Sequence, residues 1–425
     1  MARRLSLGIA LLLVAAACSA APSQPPDSGS PTLGTLAPLV TTTTVAVATT
    51  STTSTSTTTT STTTTTVVPI GVPDPVVLGA PSEPGVDGRF AGVGMATVPV
   101  GGAVIFTEGG TEQLVVAREG LVFAVTQALE DGWVELVTMC DTTAWARSAD
   151  LVLNGPSPTQ TVGKLFDFSR AVIVLDPGHG GPWNIGAVAE TGLKEKDINV
   201  DIARRARDLF LAPHTVDWET GTIYTGDQVP AASRVIVTRT GADELADYEA
   251  GLWFRAELAN AMNADAFVAI HNNAGDENKL ETPGSDAYYQ SQLEDSRRFA
   301  TIMVEEFRRS FAPFGTDWVG VRDVGAKSRL STKFPGQQYY GVLKRTEMPA
   351  VIAEGAFMSN RSEADLLATP EFRQAYAEAV YRAVVRFLTD DAFGDAPSFD
   401  PKSWGGFAGS GDARPTCVIP SQGDQ

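Results

Sequence analysis

Four short runs of apolar residues, none interrupted by a charge, mark the second half of the chain: Ala171–Leu175, Val235–Val237, Ala266–Ile270 and Ala350–Ala353. Strands covered on both faces read in this way, because no position along them can alternate toward water. Between the runs the period changes. Ile198, Ile202, Ala206 and Leu209 recur every three to four residues. So do Phe299, Ile302, Met303 and Phe307, with the polar Glu306 among them, and Phe372, Ala375, Ala379, Ala383 and Phe387. Each set makes one apolar helical face. The alternation predicts an α/β domain over residues 170–390, with a mostly parallel sheet flanked by helices.

Three of the runs lead directly into residues that carry chemistry. The first continues as Asp176-Pro177-Gly178-His179-Gly180-Gly181, the third as His271-Asn272-Asn273-Ala274 and the fourth as Glu354-Gly355-Ala356-Phe357. Open α/β sheets bind their ligands beyond the carboxyl ends of the strands. Two of the three histidines and one carboxylate therefore fall where a site forms. Two imidazoles and a carboxylate can hold a tetrahedral zinc ion and leave its fourth position to water. Glu190 and Glu195 are the candidates for the third ligand. Glu195 heads the helical face of Ile198 and Ile202, from which a helix can aim it back at the sheet edge, but composition does not choose between the two. The remaining histidine, His214, lies in Ala212-Pro213-His214-Thr215 and reads as a surface residue in a loop with no strand to place it.

These segments closely resemble the zinc-dependent N-acetylmuramoyl-L-alanine amidases. The resemblance is carried by Leu175 through Gly181, Gly192-Leu193-Lys194-Glu195-Lys196, Ala269 through Ala274, and Pro349 through Asn360. Thr238-Arg239, Arg255 with Ala259-Asn260, and Gly284 with Tyr288-Tyr289 extend it in the family's order over about half the chain. It implies an amidase-like, zinc-exopeptidase-like fold and one zinc ion held by His179, Glu195 and His271. It makes Glu354 the catalytic carboxylate, and peptidoglycan the substrate, cut between N-acetylmuramic acid and L-alanine. Three departures bear on the groove and not on the ligands. The turn after the first His-Gly-Gly is Pro182-Trp183-Asn184-Ile185-Gly186-Ala187, the segment from Ala212 to Ser233 is long, and Gly355-Ala356 follows Glu354. The alternative is a catalytically silent wall-binding or regulatory protein on the same scaffold; a zinc peptidase cutting the stem peptide would use the same metal chemistry. Some related division enzymes carry a blocking helix before the Glu strand. Here the Phe299–Phe307 helix reads as scaffold and the Gly/Pro-rich stretch from Phe314 to Tyr340 has no sustained helical period, so activity without an activator is expected.

The rest of the chain reads as delivery and support. Arg3-Arg4 and an apolar run ending at Ala17 form an export signal over residues 1–18, too short for the roughly 20 residues of a spanning helix. Ala15-Ala16-Ala17-Cys18 resembles a bacterial lipobox, which implies a lipid anchor at Cys18; the alternative is simple cleavage near Ala20 or Ala21. Either places the protein in the cell envelope, on the outer face of the cytoplasmic membrane or secreted. Residues 19–67, almost free of large side chains, are expected to be a disordered Ser/Thr/Pro-rich linker. Residues 68–160 contain short β-branched runs at Ala103–Phe106, Leu114–Val116, Leu121–Val125 and Trp133–Val137. They read as a small all-β, barrel-like module. Asp131 through Val137 with Ala144-Trp145-Ala146 resembles a bacterial Src-homology-3-like domain. Either the module docks on the wall, or Trp133 and Trp145 are barrel core and the module only supports its neighbour. Cys140 and Cys417 either pair in the oxidising envelope or stay unpaired. The tail, residues 391–425, reads as irregular. With 50 acidic residues against 32 Lys and Arg, net charge −18, no basic stripe is available for nucleic acid. Oligomeric state leaves no mark in the sequence.

Overall fold

A computed structural model describes residues 94–107, 110–239, 248–275, 284–315, 325–405 and 416–423. The export signal with Cys18, the 19–67 linker and the start of the β module lie outside these residues. Among the described residues no helix is long and apolar enough to cross a membrane.

The chain first lays down seven strands: β1 (Gly94–Thr97), β2 (Ala103–Phe106), β3 (Gln113–Ala117), β4 (Val122–Ala128), β5 (Trp133–Val137), β6 (Thr143–Arg147) and β7 (Val152–Asn154). They pair antiparallel in the order β3-β2-β6-β5-β4-β1-β7. Strand alternation sends Val134, Leu136, Ala144 and Ala146 inward. It leaves Trp133 and Trp145 half-buried on the other face, so neither tryptophan is barrel core. Trp133 meets Phe106 edge-on at 5.2 Å and carries the Arg147 guanidinium 4.0 Å above its ring.

The α/β part follows as β8 (Val172–Pro177), α1 (Glu195–Phe210), β9 (His214–Val216), β10 (Ile223–Thr225), β11 (Arg234–Val237), α2 (Leu252–Ala261), β12 (Ala266–Asn273), β13 (Asp286–Tyr289), α3 (Glu294–Phe311), β14 (Ala326–Lys327), β15 (Arg329–Ser331), α4 (Gly341–Arg345), β16 (Ala350–Phe357), α5 (Arg361–Leu367), α6 (Pro370–Thr389) and β17 (Lys402–Trp404). Six strands form one sheet in the order β11-β8-β12-β16-β13-β14. The four expected strands lie side by side and parallel; β13 runs antiparallel to β16 and adds an edge the apolar pattern did not announce.

Period-two alternation divides each central strand between two cores. Ile173, Leu175, Val268, Ile270, Val351 and Ala353 face α1, α3 and α6. Val172, Val174, Phe267, Ala269, Ala350 and Ile352 face α2 together with the inner side of the seven-stranded sheet. The β module thus shares one continuous core with the α/β part. Its β5–β6 turn also reaches across: Asp141 Oδ1 accepts from Phe254 N at 2.9 Å and so caps the first turn of α2. Helix α6 begins with its own signal, Thr369 accepting from Phe372 N ahead of Pro370.

Helix α3 is scaffold as expected, with Phe299, Ile302, Met303 and Phe307 buried. Glu306 interrupts that face because it pairs with Arg382 at 2.7 Å and Arg386 at 2.6 Å. Among the described residues of the stretch from Phe314 to Tyr340 there is no α-helix; residues 316–324 lie outside them.

Two expectations are corrected. His214 is not in an unplaced loop: it opens β9, exchanges backbone hydrogen bonds with Val229 and is half-buried, its ring edge-on to Tyr381 at 5.5 Å. The tail is not irregular throughout: β17 pairs in parallel with β15, and Cys417 is bonded to Cys140.

Candidate active site

The carboxyl ends of β8, β12 and β16 converge, and with them the residues that end each strand. His179 follows β8, His271 lies in β12 opposite Glu354 of β16 in the parallel register, and Glu195 opens α1. His179 Nε2 lies 3.1 Å from Glu195 Oε2, and His271 Nδ1 lies 3.1 Å from Glu195 Oε1. One donor atom from each of the three fits within 4.8 Å of the others. Of the two open carboxylates, Glu195 joins the histidines. Glu190 is exposed and paired with Arg361 at 3.5 Å.

The approach of the histidines needs a backbone that most side chains would block. A β-carbon on Gly178 would lie 2.2 Å from the His271 ring. His179 itself adopts φ +67°, a conformation costly for a residue with a β-carbon. Two buried guanidinium groups hold this segment. Arg255 donates to Asp176 Oδ1 at 2.5 Å, to Pro177 O at 2.9 Å and to His179 O at 2.5 Å. Arg239 donates to Pro177 O at 3.1 Å and to Gly178 O at 2.9 Å. Thr238 Oγ1 also donates to Asp176 Oδ1. The Thr238-Arg239 and Arg255 motifs are therefore braces of the His179 turn.

Glu195 is fixed by backbone donors, Ala187 N at 2.8 Å on one oxygen and Asn272 N at 3.0 Å on the other. Asn199, one helical turn on, bonds Asn272 Nδ2 through its Oδ1 at 3.0 Å. Asn184 Oδ1 lies 2.8 Å from His179 Nδ1, leaving Nε2 to face Glu195. This residue sits in the turn that departs from the family pattern and was not singled out from sequence. A short polar side chain five residues after a ligand histidine was the available signal.

The electrostatics follow from these contacts. Burial pulls the Glu195 pKa up, but the two imidazoles reverse this and hold it well below the ordinary carboxylate range. Burial likewise disfavours a charged His179, yet Glu195 and Asn184 keep its pKa above the usual value. His271 is lowered by its burial, which Glu195 opposes only in part. Glu354 is different. Burial, reinforced by the negative charges of Glu195 and Asp286 and opposed by Arg329, raises its pKa well above the ordinary range. Its Oε2 is buried with no hydrogen-bond partner among the described residues. A buried, unpartnered carboxyl of this kind beside three convergent donors marks a candidate functional site. Two nitrogen donors and one carboxylate, all convergent, suit zinc better than calcium or magnesium, which take oxygen shells. The site opens into a cavity of about 830 Å³.

The profile of the N-acetylmuramoyl-L-alanine amidase family matches residues 173–386. The germination-specific N-acetylmuramoyl-L-alanine amidase of Bacillus subtilis (strain 168) is 27% identical over 231 residues, 54% of this chain and 84% of that protein. The uncharacterized protein YqiI of the same strain is 31% identical over 214 residues, 50% of this chain and 82% of that protein. The N-acetylmuramoyl-L-alanine amidase AmiA of Escherichia coli (strain K12) is 27% identical over 228 residues, 52% of this chain and 76% of that protein.

Proposed function

The chain belongs to the N-acetylmuramoyl-L-alanine amidase family, and on that premise we propose that His179, Glu195 and His271 hold one zinc ion and that Glu354 is the catalytic acid and base. The protein is a hydrolase of the amide between N-acetylmuramic acid and L-alanine in peptidoglycan. The observation that carries the site assignment is the cross-strand register of His271 and Glu354 beside the His-Glu-His cluster.

His179, Glu195 and His271 would hold the zinc ion, which would supply an acidified water and polarise the scissile carbonyl. Glu354 takes the proton of the attacking water. It then returns that proton to the L-alanine nitrogen as the amide bond breaks, one group serving as base and then acid. Asn184 keeps the His179 ring in the orientation that presents Nε2 to the ligand set, a role that commonly tunes metal affinity. Arg239 and Arg255 hold the strained His179 turn, so little ordering is left for the moment the metal and substrate arrive.

We read residues 1–18 as the signal that exports the enzyme and Cys18 as its lipid attachment, with 19–67 as the spacer to the wall. The β module supports the catalytic part through its shared core and the Asp141 cap. Residues 68–160, 170–390 and 391–425 are read as module, catalytic domain and tail. We expect activity without an activator, because the helix that holds Phe299 and Phe307 buries that face in the core as scaffold.

The experiment is mass spectrometry of sacculi digested by the zinc-loaded protein. New L-alanine amino termini paired with unsubstituted lactyl groups are expected. Fragments cut inside the stem peptide would replace this reading with a peptidase, and wall binding without fragments would replace it with a silent scaffold.

A further inference from the structure

One wall of the cavity joins a segment inside the family match to one that lies beyond it. Residues 329–339 fold back on themselves, Ser331 N donating to Gln337 O at 2.8 Å and Tyr339 N to Arg329 O at 2.9 Å. On the other side β15 pairs with β17, whose Trp404 lies beyond residue 386 and still lines the cavity. Arg329 locks the two pieces together. Its guanidinium lies 4.0 Å from the Trp404 ring centroid and donates to Tyr340 OH at 2.7 Å and Tyr288 OH at 2.9 Å.

The charge of this wall runs against the charge of the molecule. The chain carries −18, yet residues 326–345 contain Lys327, Arg329, Lys333, Lys344 and Arg345 and no acidic residue. Lys327 is engaged by Asp286 at 2.7 Å, and Arg329 is committed to the lock just described. Lys333 and Lys344 are exposed at the cavity rim, and their ammonium groups lie 5.3 and 5.6 Å from the centroid of the Phe334 ring. Lys344 also donates to Gln337 Oε1 at 2.5 Å. Lys333 has no carboxylate within ion-pair distance among the described residues. Both lysines set positive charge around one ring at the mouth of the site. In a molecule whose net field repels anions, such a rim is also where an acidic ligand is drawn in.

We propose that this rim is a stem-peptide subsite in which Lys333 and Lys344 pair with free carboxylates, so that the enzyme prefers acidic stems over stems whose carboxyls are amidated. The inference rests on the amidase reading for the identity of the substrate. The cations select the peptide and the metal site cuts it; no new bond chemistry is involved.

The test separates the two. The stem tripeptide L-Ala-D-Glu-diaminopimelate and the same peptide with its side carboxyls amidated are titrated into the zinc-loaded full chain by calorimetry, at low and high salt. In parallel the corresponding muramyl peptides are assayed for kcat/KM. The acidic peptide is expected to bind about fivefold tighter at low salt, the worth of one partly exposed ion pair of about 1 kcal/mol. The ratio should shrink as salt rises. In Lys333→Gln/Lys344→Gln it should fall toward one, and in Lys333→Arg it should persist. Equal affinity for the two peptides in the wild type, or an undiminished ratio in the double variant, overturns the subsite. Absence of turnover on both muramyl peptides speaks against the amidase reading, while the binding ratio still decides the subsite.

Discussion

The hydroxyl of Tyr376 lies 2.9 Å from the carbonyl oxygen of His271, which ties helix α6 to the backbone of a proposed metal ligand. The same hydroxyl is 2.9 Å from Ala353 O and accepts from Gly355 N at 3.0 Å, so it also holds both neighbours of Glu354. Tyr376→Phe removes this oxygen from a fully buried position and leaves the Gly355 N–H without its partner. A loss of about 1–3 kcal/mol is expected, read as a lower Tm, with kcat reduced more than KM is raised. A variant of unchanged stability and kcat would show that the hydroxyl positions nothing.

Glu354 and the ligands are distinguished by two measurements on the same variants. Glu354→Gln keeps the three metal donors and loses the proton carrier, so bound zinc is expected near one ion per chain and turnover down by about 10²–10⁴. His179→Ala loses both. A chelator abolishes wild-type activity and added zinc restores it. Metal analysis together with sacculus digestion reads all three, and full activity in Glu354→Gln would remove the assigned acid and base.

Asn184 touches the proposed metal site only through His179, whose Nδ1 lies 2.8 Å from its Oδ1. Asn184→Ala frees Nδ1 and with it the ring orientation, and the expected cost is about 10–100-fold in zinc affinity. Competition against a chromophoric chelator measures it. Saturating zinc should return most of the activity, which would not happen if Asn184 touched substrate.

The candidate site was legible because it lies where long-range order is simplest. Unbroken apolar runs fix the central parallel strands, and a parallel strand puts its C-terminal residue at one edge whatever surrounds it, so His271 and Glu354 could be placed from their runs alone. The choice of Glu195 over Glu190 needed the family pattern, since a helix start does not say where its first side chain points. The edges were not legible. Strand β13 is four residues, Asp286–Tyr289, and its buried Asp286 is tolerated because Lys327 arrives from β14. Strand β17 reads Lys402-Ser403-Trp404 and is exposed throughout, so no periodicity marks it. Trp133 and Trp145 are expected inside on the support reading, but their strands alternate both to the other face, where Trp133 packs against Phe106 and Arg147. His214 was misplaced for a related reason: a three-residue strand pairing locally with Val229 and β10 is too short to show a period.

Asp141 couples the β module to the catalytic part by capping α2, the helix that carries Arg255. Asp141→Ala leaves the Phe254 N–H without its side-chain acceptor, and caps of this kind are worth about 1 kcal/mol. A fall in Tm of a few degrees is expected, whereas Asp141→Asn, which keeps an acceptor oxygen, should retain most of it. If alanine and asparagine variants melt together with the wild type, the cap does not hold the two parts.

Glu363 gives the fold a pH dependence that is separable from catalysis. The residue is fully buried; its Oε2 accepts from Phe357 N at 2.7 Å and more weakly from Gly284 N at 3.4 Å, and Oε1 has no hydrogen-bond partner among the described residues. Burial pushes its pKa up to about 8, against the pull of the two backbone donors. The folded chain therefore binds a proton that the unfolded chain releases near the ordinary carboxylate pKa, about 4.3. Stability from this group is complete below that value, falls as pH rises toward 8, and is flat above, with a total change on the order of a few kcal/mol. Asp265, raised to about 6 by burial, contributes the same sign of slope but only in the lower part of the window. His179 and Glu354 are also raised, so Glu363 is read from the difference between the wild type and its variant over pH 6 to 8. Glu363→Gln keeps an oxygen for Phe357 N and cannot ionise, so its Tm should fall less than the wild type's across that interval. Parallel melting curves between pH 6 and 8 would mean that the buried carboxyl does not hold the proton.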